Sequence, residues 1–166
     1  MSSHKPRRPR WLPTGHTMAL ALNLAAKPDP ADIEQILQAI TDAVRALREG
    51  VASEHQWSIA AGSVDVARAI ERQGVVRGLH ESLASADSTL KAIRTRALST
   101  GRWTPTALNF SEIDDMQAFI GLHAFQTRRL SRAEYRRAID SATGEIRGSG
   151  SHLTRIEIKD FVGAPA

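Results

Sequence analysis

The sequence predicts an all-α fold: a bundle of about five helices with an extended basic N-terminal arm and a short β-like C-terminal tail. Three observations carry this. Val76, Leu79, Leu83, Ala86, Leu90, Ile93 and Ala97 recur in steps of three and four, the spacing of one apolar stripe along a helix from Val76 to Ala97. Aromatic residues make up 5% of a chain that is 42% hydrophobic, so the apolar weight lies in Ala, Leu, Ile and Val, which suits packed helices better than a β-sandwich. Helix-start signals then punctuate the chain: Asp29 before Pro30, Ser53 before Gln56, Ser111 before Asp114 and Ser131 before Glu134. The length, 166 residues, is that of one ordinary domain, divided as an arm over 1–29, a helical bundle over 30–147 and a linker with tail over 148–166.

The stripe has two readings. The positions flanking it are His80, Asp87 and Arg94 on one side and Ser82, Thr89 and Arg96 on the other, not the Glu/Lys pairs that set partner and register in a coiled coil. Small Ala86 and Ala97 suit close packing on a helix of the same chain. An intramolecular bundle helix is therefore the expectation. The alternative is a homodimer seam through Val76, Leu79, Leu83, Leu90 and Ile93.

In the arm, Lys5, Arg7, Arg8 and Arg10 interleave with Pro6 and Pro9, Trp11 follows, and no acid precedes Asp29. Proline disfavours a helix here, so the arm is expected to be extended. Clustered arginines beside an aromatic suit a phosphate backbone, because the charges displace counterions and the ring can stack on a base. A solvated basic tail is the plainer alternative. Met18, Leu20, Leu22 and Leu24 alternate with Ala19, Ala21 and Asn23, which is strand periodicity written in residues that also form helices. An export signal at Arg7-Arg8 is disfavoured, because the apolar run from Met18 to Ala26 is short and interrupted by Asn23. No segment approaches the length of a membrane span, and a cytoplasmic protein is expected.

The first bundle helix follows Pro30, with Ile33, Ile36, Leu37, Ile40, Val44 and Leu47 on one face and Gly50 at its end. The second is apolar on two sides: Trp57, Ala60, Ala61, Val64 and Ala67 on one, Ile59, Val66 and Ile70 on the other. Such a helix is sandwiched between others and is expected at the centre. Gln73 to Gly78 joins it to the seam helix, which Gly101 ends. Leu108 and Phe110 are expected to plug the bundle end. The fourth helix places Ile113, Met116, Ile120, His123 and Thr127 on its stripe, with His123 expected as a hydrogen-bonded core histidine. The fifth opens at Ser131 and carries Tyr135, Ala138, Ile139, Ala142 and Ile146. Beyond the spacer Gly148 to Ser151, Leu153, Ile156 and Ile158 alternate like a strand that would need a partner, a second copy of the chain being one candidate.

A second basic cluster lies at the last helix junction, where Arg128, Arg129, Arg132 and Arg136 have Glu134 as their acid neighbour. A binding patch and a solvated arginine face that complements the helix dipole both explain it. Other chemistry is weakly signalled. There is no cysteine, no phosphate loop, no GxSxG elbow and no HExxH, and the six histidines never fall one turn apart. No cofactor or metal is expected, and an enzyme is disfavoured. Carboxylates of separate helices could still meet in space.

The runs Ala46 to Gly50 (ALREG), His55 to Trp57 (HQW), Ala61 to Leu79 (AGSVDVARAIERQGVVRGL), His123 to Gln126 (HAFQ) and Leu130 to Asp140 (LSRAEYRRAID) resemble small helical proteins carried on prophages and integrative elements of proteobacteria. The resemblance implies a mobile-element setting and transfers no site residue. The first functional expectation is thus a small non-catalytic nucleic-acid-associated protein, binding phosphates through Lys5, Arg7, Arg8, Arg10, Trp11, Arg128, Arg129, Arg132 and Arg136. The second is a protein-binding module or inhibitor that a mobile element directs at a host complex. The third is an enzyme of unassigned type.

Overall fold

Six helices and no strand make up the described residues, 15–148, of this computed structural model. They are α1 (Gly15–Ala25), α2 (Pro30–Glu49), α3 (Glu54–Gln73), α4 (His80–Ala97), α5 (Phe110–Thr127) and α6 (Arg132–Gly148). The basic arm through Trp11 and the tail from Leu153 lie outside them. Among the described residues no helix is long and apolar enough to cross a membrane.

Helix α3 is central, packing against α2, α4, α5 and α6. Its two apolar sides serve two cores. Ala60, Val64 and Ala67 join Ile40, Val44 and Leu47 of α2, Leu83, Leu90 and Ile93 of α4, and Met116 and Phe119 of α5. Ala69 and Ile70 join Leu130, Ala138 and Ala142, with Val66 and Tyr135 packed against them. Alanine on both sides of the second interface lets α3 and α6 approach closely. Val76, Leu83, Leu90 and Ile93 are buried within the chain, so the stripe is an intramolecular one. A dimer through it would require the bundle to open.

The helix ends follow from local chemistry. Asp29 accepts the Ala31 N–H at 2.9 Å. Ser53 and Gln56 exchange bonds as a capping box, with the Ser53 N–H to Gln56 Oε1 at 2.9 Å and the Gln56 N–H to Ser53 Oγ at 3.2 Å. Ser131 and Glu134 do the same at 2.7 and 3.3 Å. Trp57 and Trp103 sit half-buried with ring centroids 6.3 Å apart, donating to the carbonyls of Leu90 (2.9 Å) and Ala52 (2.7 Å).

Several expectations are corrected. Residues 18–24, which alternate like a strand, lie in helix α1. With no strand beside them among the described residues, the intrinsic preference of Ala, Leu and Met for helix decides. That helix lies within the expected 1–29 arm, and it brings the helices among the described residues to six. The stripe helix begins at His80, because Gly74 and Gly78 take left-handed backbone conformations and break the first turn. Val76 stays buried from within the turn, and the Leu79 N–H at the helix start is satisfied by Glu71 Oε1 at 2.8 Å. Helix α5 opens two residues early. Its capping box is Asn109 with Glu112 (3.0 and 2.9 Å), and Arg96 grips the same Glu112 carboxylate at 2.8 and 3.0 Å, holding its pKa below the usual value. Phe110 thereby becomes the first helical residue and is 88% exposed, which leaves Leu108 as the plug.

His123 is buried as expected, at 1% exposure, with its ring stacked on Phe119 at 5.7 Å between centroids. Its Nδ1 lies 3.5 Å from Gln126 Oε1, while Nε2 has no hydrogen-bond partner among the described residues. Burial pushes its pKa down from 6.5 to about 4, with the Gln126 contact opposing.

Two predictions follow from these contacts. The folded chain refuses a proton that the unfolded chain accepts below about pH 6.5, so stability should fall by about 3 kcal/mol between pH 6.5 and 4. Urea unfolding across that range should show this loss, and His123→Leu should flatten it. Gly50 has φ 72°, and a Cβ there would meet the Ala107 backbone nitrogen at 2.6 Å, whereas Gly78 (φ 87°) has open space. Gly78→Ala should therefore cost about 1 kcal/mol of backbone strain, and Gly50→Ala at least about 2 kcal/mol, by the same measurement.

Candidate nucleic-acid interface

The C-terminus of α5 sorts its residues by side. Gln126, Thr127 and Leu130 are buried. Gln126 Nε2 donates across to the Ala67 carbonyl of α3 at 3.0 Å, and Thr127 Oγ1 donates back to the His123 carbonyl at 2.8 Å. With these positions turned inward, Phe125, Arg128 and Arg129 must face out, and all three are exposed. Arg128 and Arg129 close α5 through N–H bonds to the carbonyls of Ala124 (3.2 Å) and Gln126 (2.9 Å). Cations are favoured at this helix end, where the carbonyl dipoles point.

Helix α1 completes the surface. It packs on α6, and the link at its end is specific: the Arg132 N–H donates to the Ala26 carbonyl at 2.9 Å, and the Arg132 guanidinium to Asn23 Oδ1 at 2.9 Å. These bonds carry Lys27 to the end of α5. Lys27, Gly121, Phe125, Arg128 and Arg129 then line one open depression of about 530 Å³.

No acid lines it. Of the acids nearest in sequence, Asp29 accepts the Ala31 N–H as the cap of α2, and Glu134 is turned onto Ser131: its Oε2 accepts from both the Ser131 N–H and hydroxyl, which hold its pKa below the usual carboxylate value. Among the described residues, ion pairs join Arg45 to Asp42, Arg68 and Lys91 to Asp87, Arg72 to Glu145 and Arg96 to Glu112. None of them uses Lys27, Arg128, Arg129, Arg132 or Arg136. The Arg129 guanidinium instead lies over the Phe125 ring, 4.3 Å from its centroid.

The expected site residues thus divide. Arg128 and Arg129 share the depression, whereas Arg132 does not line it and is hydrogen-bonded to Asn23 of α1. Arg136 is exposed one turn further along α6 and does not line the depression either. Lys5, Arg7, Arg8, Arg10 and Trp11 lie outside the described residues. Sequence reasoning missed Lys27, Gly121 and Phe125. The spacing Gly121–Phe125–Arg129, one residue per turn on one face, was readable; the arrival of Lys27 depends on how α1 docks.

Carboxylates of separate helices do approach one another around α3. Asp65 faces Asp87 and Glu145, and its pKa is raised by burial first and by Asp87 second. Arg68, Arg72 and Lys91 neutralise this cluster through ion pairs, which makes it a link between helices. Among the described residues no three His, Asp or Glu side chains converge as metal ligands. No protein-family model matches this chain, and neither does a curated protein or a solved structure.

Proposed function

We propose that this chain is a small non-catalytic accessory protein that binds the phosphate backbone of nucleic acid. The observation that carries the reading is the depression at the end of α5, where Lys27, Arg128 and Arg129 stand together without a carboxylate partner among the described residues. Fixed cations with no internal partner are an electrostatic footprint for a polyanion, and phosphate neutralisation releases condensed counterions. Arg132 extends the footprint along α6. Lys5, Arg7, Arg8, Arg10 and Trp11 are the proposed second contact. Backbone contacts of this kind carry no sequence information, so binding is largely independent of sequence.

A second reading, a protein-binding module in a mobile-element setting, is favoured by α1. Leu20 and Leu22 are 54% and 69% exposed on a helix that packs mainly against α6. A partner captured from host extract after nuclease treatment, and lost with Leu20→Glu and Leu22→Glu, would support that reading over the first.

The nucleic-acid reading is tested by fluorescence anisotropy of the purified, nuclease-treated chain with labelled DNA and RNA across a salt series. Four phosphate contacts, those of Lys27, Arg128, Arg129 and Arg132, predict a roughly 100-fold loss of affinity between about 50 and about 200 mM salt, and contacts of the arm steepen it. Arg128→Gln with Arg129→Gln should weaken binding to all sequences alike and reduce the slope of log affinity against log salt by about 2. Deleting the arm should lower it further. Absence of binding at low salt would sink the proposal.

A further inference from the structure

Phe125 is the anomaly of the cationic depression. A large apolar side chain, it keeps 43% of its surface exposed in the middle of a basic patch, between buried Ala124 and buried Gln126. The core does not need it there. One turn toward the C-terminus, the Arg129 guanidinium covers the ring at 4.3 Å, and one turn toward the N-terminus stands Gly121. A Cβ built on Gly121 meets no heavy atom of the described residues within 4 Å, so this part of the depression is open. Gly121 and Phe125 stand one turn apart on the same helix face, and both line the depression. Lys27, Arg128 and Arg129 rim the same depression.

We infer that Phe125, backed by Arg129 and left open by Gly121, is a stacking platform for one unpaired base, so the ligand of this surface is single-stranded nucleic acid. The inference rests on the phosphate-binding reading above and adds what the cations alone do not specify. Lys27 and Arg128 take the phosphates on either side of the nucleotide, and the ring takes the base. A duplex offers phosphates to the same cations but keeps its bases stacked on each other, away from the ring. Stacking on an aromatic face is tolerant of base identity, because every base presents a π-face. The guanidinium on the opposite side of the ring adds a cation–π contact and holds the ring in place.

The test compares a labelled single strand of about 16 nucleotides with the duplex of the same sequence, bound by the full chain at fixed salt. Phe125→Leu should lower single-strand affinity about tenfold, leave the salt slope unchanged and leave duplex affinity unchanged. Gly121→Leu, which fills this part of the depression, should cause the same selective loss. Phe125→Trp should keep tight single-strand binding and add a tryptophan emission that the bound base quenches. Both altered positions are exposed, and thermal melting of each variant checks that the bundle is intact. Phe125→Leu binding both ligands like the unaltered chain, or weakening both equally, overturns the platform while salt-dependent binding upholds the phosphate-binding reading. Failure of the unaltered chain to bind either ligand overturns both.

Discussion

Helix α3 must hide two opposite apolar faces, and that requirement arranges the other helices. Covering Ala60, Val64 and Ala67 takes α2, α4 and α5 together, because alanine and valine leave room for large side chains from several directions. Covering Ala69 and Ile70 takes a separate helix, α6. The chain therefore has to cross from the first core to the second after α5. It does so within Arg128 to Ser131, and Leu130 is the residue that enters the second core. Burying one such leucine is worth about 1.5–3 kcal/mol, more than the electrostatic cost of crowding solvated cations beside it.

The crossing explains the site. A chain that passes between two cores in four residues turns some side chains inward and leaves the others outward. Gln126, Thr127 and Leu130 face in, so Phe125, Arg128 and Arg129 face out. The inward residues are also fixed by hydrogen bonds, with Gln126 reaching the α3 backbone at Ala67. The outward residues inherit that fixity through the backbone. Cations gather here at low cost, since the carbonyl end of α5 attracts them and Glu134 is committed to its own capping box. Elsewhere on the bundle, as at Arg68, Arg72 and Arg96, arginines are joined to carboxylates of other helices.

Much of this fold was legible because it is written in local patterns. The two-sided periodicity of α3, the left-handed Gly50 and the boxes at Ser53 and Ser131 each depend on residues within a turn or two. The misreadings arose where a local signal had two solutions and a distant contact chose between them. Ser111 with Asp114 reads as the cap of α5; Asn109 with Glu112 has the same spacing, and Arg96, pulling on Glu112, favours it. Met18 to Leu24 suited strand or helix, and the helix is what stands against α6. In the candidate site, Arg128, Arg129 and Arg132 were visible as composition, but Lys27 reaches them through the docking of α1 on α6 and the bonds of Arg132 to Ala26 and Asn23, more than a hundred residues away in sequence. Phe125 went unnoticed because a phenylalanine off the main stripe reads as an ordinary surface residue until its neighbours are known.

His123 shows why the core and the surface of this junction have to be considered separately. Its ring supports Phe119 on one side and meets Gln126 on the other, and Gln126 anchors the backbone beneath Phe125. The price of that placement is an unpaired Nε2 in an apolar core, which ties the stability of the junction to the neutral form of the imidazole. Acid therefore acts on the surface indirectly: protonation of His123 loosens the support of α5 before any arginine of the depression changes charge. A loss of binding at low pH would consequently report on the core, whereas a loss with salt at neutral pH would report on the cations. The two dependences separate the scaffold from the chemistry it displays.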